Sequence, residues 1–137
     1  MFDRLFQENK EPKVLLIKTS IKPSSIHGIG CFTEEKILKE QVIWEFDGRI
    51  DLRIPVSELP NFPVPVQEFL NMYGYGAIYN GQEVLVLCGD HSRHFNHSDN
   101  PNLLDTELET IAARDIEIGE ELTCDYYSFD IHVDKKL

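Results

Sequence analysis

Arg93-His94-Phe95-Asn96-His97-Ser98-Asp99-Asn100-Pro101-Asn102 is the stretch on which the reading of this chain turns. Its ten residues hold three asparagines, two histidines, a serine, an aspartate and a proline. Short polar side chains bond the local backbone and Pro fixes φ, so this composition reads as a surface turn. Yet Phe95 sits in the middle, and apolar residues flank the stretch at 84–87 and 103–104. A polar loop anchored from inside is where binding and catalytic groups concentrate.

Working outward, the 137 residues fit one domain with a sufficient core. Apolar residues make up 42 % and charged residues 27 %, the balance of a globular protein. No apolar run approaches the ~20 residues of a membrane span, and the N-terminus lacks the basic-then-apolar layout of a signal peptide. A cytoplasmic protein without a membrane partner is expected. Cys31, Cys88 and Cys124 are isolated thiols without CxxC spacing, which argues against a disulfide framework and against the usual zinc site.

Net charge is −11 and unevenly placed. Residues 1–39 carry seven Lys/Arg against five Asp/Glu, and the remainder six against nineteen. Such a surface repels nucleic acid phosphates and favours a basic protein partner.

Pattern divides the chain into many short strands. Residues 1–13 read as a polar tail and 130–137 as a second one, with a single domain over 14–129. Residues 14–19 and 41–46 are apolar and β-branched, hence strands. Asp47-Gly48 reads as a hairpin turn, with residues 49–54 returning. Four prolines over 55–65 argue against regular structure there, and 66–72 suits a short helix. The Asn80-Gly81 pair between residues 75–79 and 83–87 is the clearest hairpin, since Asn-Gly favours the type I′ turn. Residues 103–108, 109–113 and 121–127 are further strands around a turn at 115–120. The class is mainly β.

Three readings compete for residues 90–102. His91, His94 and His97 recur every third residue with Asp90 and Asp99 nearby, a set that suits zinc if the segment is helical. Asn96, Ser98 and Pro101 work against that helix, so no metal site is expected. Nucleophilic catalysis by Cys31 or Cys124 needs a neighbouring base that nothing in the sequence supplies.

The third reading takes three stretches together: Gly28-Ile29-Gly30-Cys31-Phe32, the segment at 93–102, and Gly119-Glu120-Glu121-Leu122-Thr123-Cys124-Asp125-Tyr126. In this order they resemble the GxG, RFxNHSCxPN and GEELxxDY patterns of the SET domain family of protein-lysine methyltransferases. The chain looks most like the small stand-alone bacterial and viral members, over about residues 14–129. The resemblance implies a β-clip fold of short sheets with a C-terminal pseudoknot, in which the Asn-His-Ser segment threads a loop closed by the last strand. It implies S-adenosylmethionine as cofactor, held at His27, Gly28, Ile29, Gly30, Asn96 and His97, with Phe129 closing over the adenine. It also makes Tyr126 the active-site tyrosine, at the cofactor. Phe46, Tyr75 and Cys124 fall on the substrate-lysine channel, with Phe46 facing it and Trp44 facing away. The partner would be a basic protein or peptide with a target lysine, and small family members can also pair as homodimers.

Departures from the family pattern set the alternative. His94 stands at the aromatic of the RF pair, and Asp99 replaces the usual Cys. Phe46, within Glu45-Phe46-Asp47-Gly48, lacks the hydroxyl of the family's second tyrosine. A catalytically weak SET domain that binds a peptide without turnover is the competing expectation. Cys124 stands where a Phe or Tyr helps set the methylation degree, and its small size leaves room for more than one methyl.

Overall fold

The computed structural model describes residues 15–106 and 109–131. The expected tail at 1–13, the first residue of the strand expected at 14–19, the end of that expected at 103–108 and most of the second tail lie outside these.

Among the described residues ten short strands make four small sheets. β1 (Thr19–Pro23) pairs antiparallel with β2 (Ile29–Thr33). β3 (Val42–Glu45), β9 (Glu109–Ala112) and β8 (Leu103–Asp105) form a second sheet in that order. β4 (Leu52–Pro55), β6 (Gln82–Leu87) and β5 (Tyr75–Tyr79) form a third. The fourth is a two-residue parallel pair, β7 (Asn96–His97) with β10 (Thr123–Cys124). There Thr123 stands opposite Asn96 and Cys124 opposite His97, so the two diagnostic segments meet side by side. No helix among the described residues is long and apolar enough to cross a membrane.

The Asn80-Gly81 hairpin forms as expected. Both residues take positive φ, +50° and +76°, as a type I′ turn demands. The Asp47-Gly48 hairpin does not form. Gly48 is not among the positive-φ residues, and the chain leaves β3 for a different sheet, where β4 pairs with β6. The buried Asp51 carboxylate fixes this route. It accepts the Asp47 N–H at 3.0 Å and the Gly89 N–H at 2.9 Å, tying the turn to the end of β6.

The proline-rich stretch is also more regular than expected. Residues Val56–Asn61 form a 3₁₀ helix, and α1 (Val64–Tyr73) follows directly. Pro65 stands in the first turn of α1, where a backbone N–H would have no intrahelical partner, so the ring costs nothing there. Leu70 of α1 packs on Leu85 and Leu87, forming a small second core. The main core gathers Ile43 and Leu103 from the sheet of β3, β9 and β8 with Ile37, Ile116 and Leu122 from the connections. All five are at most 1 % exposed.

Candidate active site

The segment at 93–102 is built from its two ends. Asp90 caps a 3₁₀ turn at His91–His94, accepting the Ser92 N–H at 3.0 Å and the Ser92 hydroxyl, while its other oxygen takes the Leu15 N–H. Phe95 then enters the main core and forces Asn96 and His97 into the extended backbone of β7. The Asn96 amide nitrogen faces three acceptors: Glu121 Oε2 at 2.8 Å, the His27 carbonyl at 3.0 Å and the Ile29 carbonyl at 3.3 Å. Glu121 takes a second bond from the Ser24 hydroxyl at 2.7 Å. At the far end Asn102 accepts the Thr123 N–H and donates to the Glu121 carbonyl, both at 2.8 Å. The two asparagines thus sew the polar segment to β10 and to the Gly28–Gly30 loop.

His97 and Tyr126 are locked together. His97 Nδ1 accepts the Tyr126 N–H at 3.1 Å, which leaves the ring proton on Nε2, facing Asp99 Oδ1 at 3.1 Å. The Tyr126 hydroxyl donates to the Phe95 carbonyl at 2.6 Å. Burial, with smaller contributions from Cys124 and Asp130, raises the phenol's pKa further above its ordinary value. It stays a neutral donor at physiological pH. Tyr126 belongs to a 3₁₀ turn, Tyr126–Ser128, rather than to the strand expected over 121–127. Asp125 ends the extended backbone by capping that turn through the Tyr127 N–H.

Three cavities surround this knot. A groove of about 630 Å³ is lined by His27, Gly28, Ile29, Asn96, His97 and Tyr126, with Tyr73 and His94 across from them. A second groove of about 650 Å³ holds Phe46, Arg53, Tyr75 and Tyr79. A chamber of about 60 Å³ joins them. Tyr73, Phe95 and Tyr126 line both the chamber and the first groove. Trp44, Tyr75, Asp105 and Phe129 line both the chamber and the second groove. Cys124 lines the chamber itself.

Most of the residues singled out from sequence come together, but in revised places. Phe129 does not line the first groove; it packs edge-on against Tyr75 at 5.1 Å and Tyr126 at 6.1 Å, and lines the chamber and the second groove. Trp44 does not face away from Phe46. Residues two apart in extended chain share a face, so Trp44 and Phe46 line the second groove together. Phe46 stops short of the chamber, held against the Arg53 guanidinium at 3.8 Å with Tyr79 at 3.8 Å from the same group. Gly30 does not line the first groove, and a Cβ there would fall 2.4 Å from Glu121 Oε2, so the carboxylate that Ser24 and Asn96 share would have to shift.

The histidines separate. His91 Nδ1 contacts the Thr19 hydroxyl at 2.9 Å, His94 lies edge-on to Tyr73 at 5.4 Å, and His97 holds Tyr126. Among the described residues no group of three His, Cys, Asp or Glu is arranged to hold a metal. His94, at the aromatic of the RF pair, lines the first groove, where burial, then Arg93 and His91, lowers its pKa. The three thiols are all buried, and burial pushes Cys31 and Cys88 up to about 12 and Cys124 well above its ordinary value. None is a nucleophile at neutral pH. Sequence reasoning passed over Glu121, Asp105 and Tyr73; only Glu121 had a signal, an acid beside a strand's apolar Leu122.

A strand-rich fold of small sheets, with two grooves meeting at a tyrosine, defines a class that the comparisons identify. A sequence profile of the SET domain matches residues 28–127, and the chain belongs to the SET domain family. It is 30 % identical over 132 residues to the histone-lysine N-methyltransferase SET5 of Candida albicans, covering 91 % of this chain and 26 % of that protein. The chain therefore spans about a quarter of the length of that curated relative. Among solved structures it resembles a humanized mutant of Chaetomium thermophilum Polycomb Repressive Complex 2 bound to the inhibitor GSK126. That match has a TM-score of 0.62 and 22 % identity, over 84 % of this chain and 15 % of the other. A candidate histone methyltransferase of Plasmodium falciparum matches at TM-score 0.56 and 24 % identity, over 80 % of this chain and 96 % of the other. These structural likenesses establish the fold.

Proposed function

We propose that the protein transfers methyl groups from S-adenosylmethionine to the ε-amine of lysine in a basic protein. The observation that carries this reading is the pair of grooves joined through a small chamber with Tyr126 at the junction. A cofactor and a protein substrate entering from separate grooves would meet there.

The first groove suits the cofactor. Its volume lies within the range of small-molecule sites, and it offers the Asn96 amide and the Tyr73 ring along with the backbone of the Gly28 loop. His27, Gly28, Ile29, Asn96 and His97 would hold it. When bound, it supplies an electrophilic methyl group on a sulfonium.

The chain's own contribution is position and dryness. Phe95 and His97 fix the hydroxyl and the backbone of Tyr126, so the phenol is preorganised at no cost during reaction. Trp44, Tyr75 and Phe129 offer apolar walls for the lysine stem, and Cys124 leaves the chamber room beside the amine. Lysine must attack as the neutral amine, although its free pKa is about 10.4, and apolar walls lower that value. The acidic surface favours lysine-rich partners.

The competing expectation, a binding module without turnover, rested in part on the missing hydroxyl at Phe46. Phe46 lies outside the chamber, which favours the enzyme. Calorimetric titration with S-adenosylmethionine, followed by radiolabelled methyl transfer to core histones and polylysine, tests the reading. Cofactor binding with labelled lysine is the expected result; no cofactor binding overturns it.

A further inference from the structure

Two polar atoms in the channel are buried without a hydrogen-bond partner among the described residues: Asp105 Oδ2 and Trp44 Nε1. Both residues line the chamber and the second groove, at the passage between them. Asp105 ends β8, and its other oxygen is already taken by the Thr110 hydroxyl at 2.7 Å. A buried carboxylate oxygen with no donor is costly, because nothing replaces the water it lost. Its surroundings do not compensate it. Arg53 in the second groove is committed to the faces of Phe46 and Tyr79, and Arg93, which also lines the chamber, donates to the Cys88 carbonyl at 2.9 Å and lies over the Phe69 ring; among the described residues neither forms an ion pair with Asp105. Asp130 lines the same chamber and Asp125 adds further negative charge.

This geometry fits a cationic donor delivered from outside. The second groove is lined by the aromatic side chains of Phe46, Tyr75 and Trp44 and by Asp105, and the last three of these also line the chamber. A long apolar stem ending in an ammonium matches aromatic walls beside an acid. Building on the methyltransferase reading, we infer that Asp105 receives the target lysine: its free oxygen accepts the ammonium group and then takes its proton. The balance is simple. One N–H bond of the ammonium breaks, its electron pair stays on nitrogen as the lone pair that attacks the methyl group, and one O–H bond forms on Asp105. The proton later leaves Asp105 for solvent through the second groove. Trp44 Nε1, a donor, suits a water lodged beside Asp105 before lysine arrives; the chamber is large enough for one or two. Burial raises the Asp105 carboxyl to about 6, against the Thr110 bond, which makes it a better proton acceptor than an exposed aspartate.

Trp44 is the single tryptophan, so its emission reports on the chamber directly. The test titrates n-butylamine, a detached lysine side chain, at fixed ionic strength into the parent, Asp105→Asn and Asp105→Ala, reading Trp44 fluorescence. Asn preserves the shape and the Thr110 bond, and thermal unfolding and cofactor calorimetry on each variant confirm the fold. The parent should show saturable binding that weakens at least tenfold in both variants. Methyl transfer to polylysine should fall at least 100-fold in kcat/KM, and the low-pH limb of the parent's profile should vanish in Asp105→Asn. Equal n-butylamine affinity, or equal transfer by Asp105→Asn, overturns the inference while leaving the methyltransferase reading intact. A parent that binds no cofactor and labels neither polylysine nor core histones overturns both.

Discussion

Asn96 Nδ2 lies 2.8 Å from Glu121 Oε2, and this contact joins residues from the two diagnostic segments to the glycine loop. The same amide reaches the His27 and Ile29 carbonyls, and Glu121 reaches Ser24. Asn96→Ala therefore removes the donor from three acceptors at once. Leaving a buried acceptor unmatched costs about 1–3 kcal/mol, and these sites are part-buried, which places the total near the lower end. Thermal unfolding should show a Tm lower by several degrees, and calorimetry a cofactor Kd at least tenfold weaker. An unchanged Tm would mean that the contact holds nothing together.

Glu121 also decides what position 30 tolerates. A Cβ on Gly30 would meet Glu121 Oε2 at 2.4 Å and Cδ at 2.8 Å, whereas a Cβ on Gly28 meets nothing within 4 Å. Gly28 has φ +46°, so Ala there carries only the backbone cost of about 1–2 kcal/mol for a left-handed residue. Gly30→Ala must instead displace the carboxylate that Ser24 and Asn96 share. Denaturant unfolding should rank Gly30→Ala as the more destabilised of the two, and the gap should close when Gly30→Ala is combined with Glu121→Ala. Equal effects of the two single changes would contradict this account.

Tyr126→Phe removes one hydroxyl, bonded to the Phe95 carbonyl at 2.6 Å, and keeps the ring against His97. Its stability effect should stay near the 1 kcal/mol of an ordinary hydrogen bond. Its kinetic effect should be larger, at least 100-fold in kcat, because a group fixed at the junction of groove and chamber acts on the reaction geometry. Cofactor affinity should move only a few-fold. Radiolabel kinetics beside calorimetry separate the two effects, and a normal kcat would remove Tyr126 from the chemistry.

How much of this was legible in the sequence depends on the kind of signal. The Asn80-Gly81 turn was readable because φ > 0 at two successive residues selects a narrow residue pair. The motif segments were readable because the Asn96 and Asn102 side chains bond backbone, and such bonds need particular side chains at fixed spacing. Strand pairing was not. Whether β3 returns beside itself or hands over to β4 and β6 is settled by Asp51 gripping Gly89, a contact 38 residues apart. Nor did sequence place Phe129, whereas the two-residue spacing of Trp44 and Phe46 already puts both on one face. The 3₁₀ turn after Cys124 sets the direction of Phe129. Asp105 carried no signal at all, since its character comes from burial rather than from its neighbours in the chain.

Cys124 is 2 % exposed and lines the chamber, where a bulkier residue would take up the space beside the amine. Mass spectrometry of a methylated substrate should show di- or trimethyllysine with the parent and mainly monomethyllysine with Cys124→Phe. Monomethyl product alone from the parent would show that something other than residue 124 limits the room.

Asp105 gives the pH dependence its sign. Its carboxyl titrates near 6 in the folded protein, because burial disfavours the charge, against 3.8 as the ordinary value. Between those two values the folded state binds more protons than the unfolded state, so this group makes stability fall as pH rises through that window. Above about 6 the loss is complete. At 1.36 kcal/mol per pH unit it amounts to roughly 2–3 kcal/mol. Asp105→Asn cannot ionise and escapes the loss, so it should be more stable than the parent at pH 7.5 and close to it at pH 4. Comparing urea unfolding of the pair at both values cancels the other titrating groups, which the two proteins share. If the pair unfold alike at pH 7.5, the carboxylate is compensated by a charge or solvent in solution. Its vacancy for a lysine ammonium would then disappear along with its cost.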